Sequence, residues 1–298
     1  FMDIRSAYPH AATKAMPDVR TRRCGWEHPN ASGIVECQIK LAPGSIPTLP
    51  ISVKIDGEFR LKWPRSGTYR GVWPICNIRA AIERGATVQR VHRETAWRRR
   101  IRPCASFMNA VFRQIEESEG PVREALKLGA RTFYGKLGQR SQRTVCLHID
   151  ALKHAFISNA GRTQDDEIIL SRVGSIGAWH WVEVSGEPPA HVVPPWGARI
   201  SGLVACRLAD AEDVVRRAGL TPIYSDTDSM VHSGAPVLGE GTRLGDWRLE
   251  DGPLEWIALH GQKVYRTSSG KAAAAGVPVV LRKDYFETLI SGWANERN

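Results

Sequence analysis

The spacing of apolar positions changes several times along the chain, and each change predicts an element. Residues 1–9 read as the end of a strand leading into a turn and a helix, with Pro9 suited to a first helical turn and the alanines from Ala11 to Ala15 favouring continuation. Across 34–63, Ile34, Val35, Ile39, Ile51, Val53, Ile55, Phe59 and Leu61 alternate with polar residues between proline and glycine breaks, the pattern of short strands and hairpins. Residues 64–73, with Pro64, Gly67 and Gly71, read as loop and turn, and 75–83 as a helix stopped by Gly85. Two helical stretches, 106–119 and 121–134, meet at Gly120-Pro121, which predicts an antiparallel helix pair. Further on, 174–184 alternates as one strand, and Pro188-Pro189 and Pro194-Pro195 mark loops. An amphipathic helix then spans 201–218, with Leu203, Val204, Leu208, Ala211, Val214 and Val215 on one stripe. It feeds the apolar pair Ile223-Tyr224, the turn Asp226-Thr227-Asp228 and the apolar pair Met230-Val231: strand, acidic turn, strand. No internal repeat is visible.

With 298 residues the chain can bury a substantial core and exceeds a typical single domain, so two or three subdomains are expected. Its 41 Lys plus Arg against 31 Asp plus Glu leave a formal charge of +10, which draws it toward polyanions such as nucleic acid. Six scattered cysteines form no Cys-x-x-Cys pair and the histidines no i, i+4 pair, which argues against a zinc site and against a disulfide scaffold. No apolar run reaches the length of a membrane span and the first residues do not form a signal sequence, so a cytoplasmic protein with reduced thiols is expected. The chain begins at Phe1 without an initiator methionine, which leads us to expect a fragment.

Two clusters carry candidate chemistry. Asp226 and Asp228 are one residue apart, so a tight turn at Thr227 aims both acids from one hairpin tip; on its own the tripeptide equally suits an ordinary polar turn. Arg123, Lys127 and Arg131 recur at i, i+4 and i+8, placing three cations on one helical face with Tyr134 almost on the same stripe. Such a face suits phosphates and a nucleobase, and on charge pattern alone it suits a solvated surface as well. The run from Trp97 to Arg102 has the same two readings, a track for a nucleic-acid backbone or a solvated charge run.

Read in order, Asp3-Ile4-Arg5-Ser6-Ala7-Tyr8-Pro9, then the segment from Lys127 to Gly135, then Tyr224-Ser225-Asp226-Thr227-Asp228-Ser229 resemble motifs A, B and C of the family B DNA polymerases. Gly261-Gln262-Lys263-Val264-Tyr265 is similar to that family's Lys-x-Tyr motif, and the resemblance runs from Asp3 to about Pro278. The chain departs from it at Ala7, where leucine is usual, and at Arg131-Thr132, where Asn-Ser is usual; a planar cation in place of a neutral amide leaves the role of Arg131 open.

The resemblance implies an α+β fold: a polymerase palm with a ferredoxin-like core, helical fingers and a partial thumb. Its segments would be palm over 1–105, fingers over 106–145, palm again over 146–262 and the start of a thumb over 263–298, with the family's N-terminal exonuclease domain absent. It implies template-directed transfer of dNTP to a primer 3′-hydroxyl, with Asp3, Asp228 and, in a lesser part, Asp226 as catalytic acids. Asp3, Asp228 and the backbone carbonyl of Ile4 would hold two Mg²⁺ ions, for which Mn²⁺ can substitute. Ser6 and Ala7 through their backbone, Tyr8 as the steric gate, and Arg123, Lys127, Arg131 and Tyr134 would contact the nucleotide. Gly135, Lys263 and Tyr265 would contact DNA. Partners implied are primer-template DNA, dNTP and, by the short distances between motifs, a terminal protein of the viral or mobile-element branch; no membrane is implied. Two alternatives stay open, a fragment that binds nucleic acid without turnover and a reverse-transcriptase-like palm, although the latter commonly shows adjacent aspartates.

Overall fold

The computed structural model describes residues 1–55, 58–138, 143–158, 161–163, 168–185, 191–278, 281–282 and 285–288. The chain opens with β1 (Met2–Ile4), α1 (Ala7–Ala12), β2 (Met16–Pro17) and β3 (Arg23–Cys24). Next come β4 (Ser32–Leu41), the hairpin β5 (Ile51–Ile55) and β6 (Glu58–Lys62), β7 (Gly67–Pro74), α2 (Ile75–Glu83), β8 (Thr87–Trp97) and β9 (Arg100–Ile101). Two helices follow, α3 (Ala105–Glu117) and α4 (Gly120–Leu137), then β10 (Arg143–His148), α5 (Ile149–Ser158), β11 (Ile169–Ile176) and β12 (Trp179–Val184). The long helix α6 (Pro194–Arg217) leads to β13 (Pro222–Asp226), β14 (Ser229–His232) and β15 (Trp247–Leu249), and the chain continues through β16 (Ile257–Gly261), β17 (Val264–Thr267) and β18 (Ala272–Ala274).

Every ladder between these strands is antiparallel, so the fold is a mixture of helices with antiparallel sheets. One four-stranded sheet runs β13-β14-β1-β15 and buries Met2, Ile4 and Met230 against α1, α4 and α6. A second, β3-β8-β4-β7, packs Val35, Ile39, Trp73 and the α2 residues Ile75 and Ile78 into a separate core. A smaller sheet, β10-β12-β11, closes over α5. Helix α6 joins the first two cores, since it touches α1 and β13 as well as α2, β4 and β7. Its buried Glu212 is held by Arg65 and Arg216, each at 2.8 Å, so a charge inside the seam is paired.

Several expectations needed correction. Residues 64–73 are strand β7 for the most part: Gly71 is there because a Cβ would run into the Trp73 ring, a packing role, and breaks no strand. The single strand expected over 174–184 is a hairpin, with Gly177 at φ 58 making the turn between β11 and β12. Pro194 and Pro195 start α6, because a proline in the first helical turn forfeits no hydrogen bond. Val214 lies off the buried stripe and is 43% exposed, whereas Val204, Ala211 and Val215 are buried. Pro188-Pro189 and the end of the 263–298 segment lie outside the described residues.

Gly202 marks where α2 meets α6, for a Cβ there would strike Asn77 Oδ1, Cys76 Sγ and the Pro74 ring. Asn77 is buried and donates Nδ2–H to the Thr48 carbonyl at 2.7 Å, so it has no room to yield. Overpacking costs about 1–3 kcal/mol, and alanine's better helix propensity returns about 1 kcal/mol. Gly202→Ala should therefore lower the melting temperature, as read by calorimetry, and an unchanged value would mean that the seam has slack.

Candidate active site

The two acids that the sequence places far apart meet across one ladder. Pairing of Met2 with Met230 and of Asp3 with Ser229 sets β1 beside β14, and Ile4 N–H donates to the Asp228 carbonyl at 2.9 Å. Ile4, 1% exposed, anchors that strand from below. Burial first, then the negative charges of Asp3 and Asp226, push the Asp228 carboxyl up to about 6, with Arg131 opposing. Burial also raises Asp3, against the pull of Arg248. Like charges crowded in a half-buried setting call for a cation, and two carboxylates beside backbone carbonyls are hard oxygen donors that fit Mg²⁺.

Arg248 supplies such a charge in this structure: its Nε and Nη2 lie 3.0 and 2.8 Å from Asp3 Oδ2. The register of β15 on β1, Asp3 opposite Arg248, puts it there. Sequence reading missed it and also missed Glu250, whose charge raises both Asp3 and Asp228. The alternation Trp247, Arg248, Leu249, Glu250 was the available signal. The turn before β15 is fixed by Arg5 N–H to the Asp246 carbonyl at 2.8 Å, and Gly245, at φ 88, leaves room for the His10 ring.

Asp226 is placed differently from the other acids. Lys263 Nζ lies 3.2 Å from its Oδ1, and Thr227 Oγ1–H donates to the same oxygen at 2.8 Å. Lys263 also donates its backbone N–H to the Tyr224 hydroxyl at 2.9 Å. Tyr265 is buried between the rings of Phe1 and Tyr224, so its ring supports the turn from beneath. Among the described residues, the non-glycine residues with positive φ are Ser6 (50), at the entry to α1, Thr227 (57), between Asp226 and Asp228, and Lys263 (58), whose ammonium lies against Asp226. Backbone strain of this kind costs about 1–3 kcal/mol per residue and gathers where a site needs it.

The helix that carries the cations reaches the site through stacked rings: Tyr134 of α4 lies on Tyr8 of α1 with centroids 4.1 Å apart and planes 10° apart. Ser6 precedes α1, and Ala7 is buried in the core, where a larger side chain has less room. Arg131 is near enough for its charge to act on Asp228, which gives that departure from the family pattern a place in the site. Lys127 Nζ pairs with Glu124 at 2.7 Å, and Arg123 is exposed one turn further out. A Cβ at Gly135 would touch nothing within 4 Å, so the gap beside it lies open. Among the described residues no group of three metal-ligating side chains is assembled, and no helix is long and apolar enough to cross a membrane.

Comparison with known proteins follows the same line. The sequence profile of the family described as DNA polymerase type B, organellar and viral, matches residues 1–172. Solved structures of Phi29 DNA polymerase superpose on 95% of this chain at 16% identity, with TM-scores of 0.64 for an orthorhombic crystal form and 0.65 for a ternary complex with primer-template DNA and incoming nucleotide substrates. At that identity the likeness is one of fold, and the chain spans about half (51%) of the length of those polymerases. No curated protein sequence matches.

The raised Asp228 carboxyl has a measurable consequence. A carboxyl whose pKa rises on folding adds stability that is complete below its ordinary 3.8 and is lost as pH climbs through about 6. At pH 7.5 without divalent metal, Asp228→Asn should therefore melt higher than the parent, by roughly 2–5 °C, with the difference vanishing toward pH 4. Arg248→Ala should do the opposite at pH 7.5, because Asp3 loses its partner. Thermal melts across that pH range read both, and an Asp228→Asn protein no more stable than the parent at pH 7.5 would contradict the crowding.

Proposed function

This chain belongs to the organellar and viral type B DNA polymerases, and we propose that it extends a primer 3′-hydroxyl with deoxynucleoside monophosphates, releasing pyrophosphate under template direction. The carrying observation is the meeting of Asp3 and Asp228 across the β1–β14 ladder, with the Tyr8–Tyr134 stack and Arg131 beside them. In this reading the β13-β14-β1-β15 sheet with α1 and α6 is the palm, α3 and α4 are the fingers, and the thumb begins near residue 263.

Asp3, Asp228 and the Ile4 carbonyl would hold Mg²⁺, which when bound supplies charge stabilisation to the phosphates. The remaining work falls to the chain's own groups. Lys127 leaves Glu124 for the triphosphate and Arg123 extends the same cationic face, so the helix brings positive charge to the leaving group. Tyr8 packs beneath the sugar and excludes a 2′-hydroxyl, while Tyr134, stacked on it, limits how far it can turn. Lys263 holds Asp226 and Thr227 in the turn and, in this reading, gives its charge to a primer-strand phosphate. Primer-template DNA and dNTP are the partners of this reading, in keeping with the Phi29 complexes.

Primer extension with Mg²⁺ tests it directly and also separates it from a fragment that binds without turnover. Asp3→Asn or Asp228→Asn should cut extension by roughly a thousandfold or more while leaving duplex affinity near the parent's. Extension by Asp228→Asn within tenfold of an active parent would sink the assignment.

Tyr8→Ala should open the space under the sugar and raise ribonucleotide use relative to deoxynucleotide by about tenfold or more. Deoxynucleotide use falls too, since packing is lost, so only the ratio is diagnostic. It is read by single-turnover competition of matched nucleotides, and an unchanged ratio in an active variant would move Tyr8 from the gate into the core.

A further inference from the structure

Two arginine-rich segments about eighty residues apart in sequence come together on one edge. Met16 pairs with Ile101 and Pro17 with Arg100 where β2 meets β9, and Arg23 pairs with Trp97 where β3 meets β8. Asp18 N–H donates to the Arg99 carbonyl at 2.9 Å, closing the loop between the two ladders. The result gathers Arg20, Arg22, Arg23, Arg98, Arg99 and Arg100, all exposed, against the buried Asp18 and, at the β3 end, Glu94, which accepts from the Trp26 backbone N–H at 3.0 Å. Asp18 is shared by Arg20 at 3.0 Å and Arg99 at 3.6 Å. Arg100 donates to the neutral Asn30 side chain at 3.3 Å, and Arg23 lies over the Trp97 ring. A merely solvated face mixes both signs, because like charges pinned by backbone pairing repel. On this edge six exposed arginines outnumber the two acids, Asp18 and Glu94.

Its chemistry selects among polyanions. Every cation is arginine and none is lysine, and the guanidinium fork suits the oxygen pairs of a phosphate. The aromatic residues flanking the arginines, Trp26 and Trp97, are half-buried and buried, so no ring is offered for stacking on an unpaired base. The edge is also rigidly tied to the catalytic half: Trp196 Nε1–H donates to the Pro17 carbonyl at 2.8 Å and Arg199 Nε–H to the Ala15 carbonyl at 2.7 Å, both from α6. We propose that this arginine edge is a second nucleic-acid site, separate from the acidic sheet, that grips the sugar–phosphate backbone of duplex DNA without reading its bases. The choice of DNA as the polyanion rests on the polymerase reading.

The test uses the whole chain and a dumbbell duplex closed by hairpins at both ends, which offers no primer terminus to the acidic site. Arg22, Arg98 and Arg100 are changed together to Gln; Arg20 and Arg99 are kept so that Asp18 is not left buried and unpaired. Binding is followed by fluorescence anisotropy from 50 to 300 mM salt. The variant should lose about tenfold or more in dumbbell affinity, and its log–log salt slope should shrink by about 2.7, or about 0.9 per contact removed. Single-nucleotide extension at saturating primer-template should stay at the parent's rate. If the triple variant fails to melt cooperatively, R22Q, R98Q and R100Q singly carry the same test, each with a slope change of about 0.9. Unchanged dumbbell affinity and slope would overturn the proposal, and so would a loss confined to polyglutamate, which would assign the edge to an acidic protein. A parent that binds the dumbbell through these arginines but extends nothing would leave the edge standing and remove the polymerase reading instead.

Discussion

The structure turns on holding two carboxylates closer than they would choose to be. The β1–β14 ladder fixes Asp3 against Ser229 and ties Ile4 to Asp228. Raising the Asp228 carboxyl from 3.8 to about 6 corresponds to roughly 3 kcal/mol against the charged form. Beneath the same two strands lie Met2, Ile4 and Met230, each at 1% exposure and each worth about 1.5–3 kcal/mol on burial. Apolar burial outweighs that cost, of which desolvation of Asp228 is the largest part and repulsion by Asp3 and Asp226 the next, so the sheet keeps its register and a demand for positive charge persists. Arg248 answers it from β15.

The cations opposite are held on different terms. Helix α4 buries only Ala130 and Leu137, both in its second half, and the Tyr8–Tyr134 stack falls in that half too. Arg123 and Lys127 ride on the first half, which has few buried contacts. Sparse packing is the physical condition for local motion, so these two cations sit on the part of the helix freest to move while the stacked tyrosines form its fixed end. A rigid acidic sheet facing a loosely held cationic arm suits a site that must admit a highly charged substrate and then close on it.

How much of this was legible follows from what each feature depends on. Helices α2, α3 and α4, the alternating strands around 34–63 and the acidic hairpin all declare themselves through local periodicity and are present. Where reading failed, a punctuating residue had a packing or capping purpose: Gly71 under Trp73, Pro194 and Pro195 in the first turn of α6, Gly177 turning a hairpin inside an uninterrupted alternation. Each of motifs A, B and C is short and contiguous, so its residues stand out in the sequence, and the structure brings Asp3 beside Asp228 across the ladder and Tyr8 onto Tyr134 in the ring stack.

What stayed hidden is long-range. Arg248 becomes part of the site only through a pairing between strands more than two hundred residues apart, and nothing within residues 247–250 indicates which strand they will join. The same holds for charge. A formal +10 states that the chain seeks a polyanion but not where, and the run from Trp97 to Arg102 is an ambiguous string until β2 and β3 lay Arg20, Arg22 and Arg23 beside it. Net charge is a property of composition, whereas a field strong enough to hold a phosphate backbone depends on how closely cations of one sign are packed. In this protein the closeness comes from β-ladders. One ladder concentrates negative charge at the acidic sheet, and two concentrate positive charge at the arginine edge, so backbone pairing converts dispersed residues into sites that their side chains would not assemble unaided.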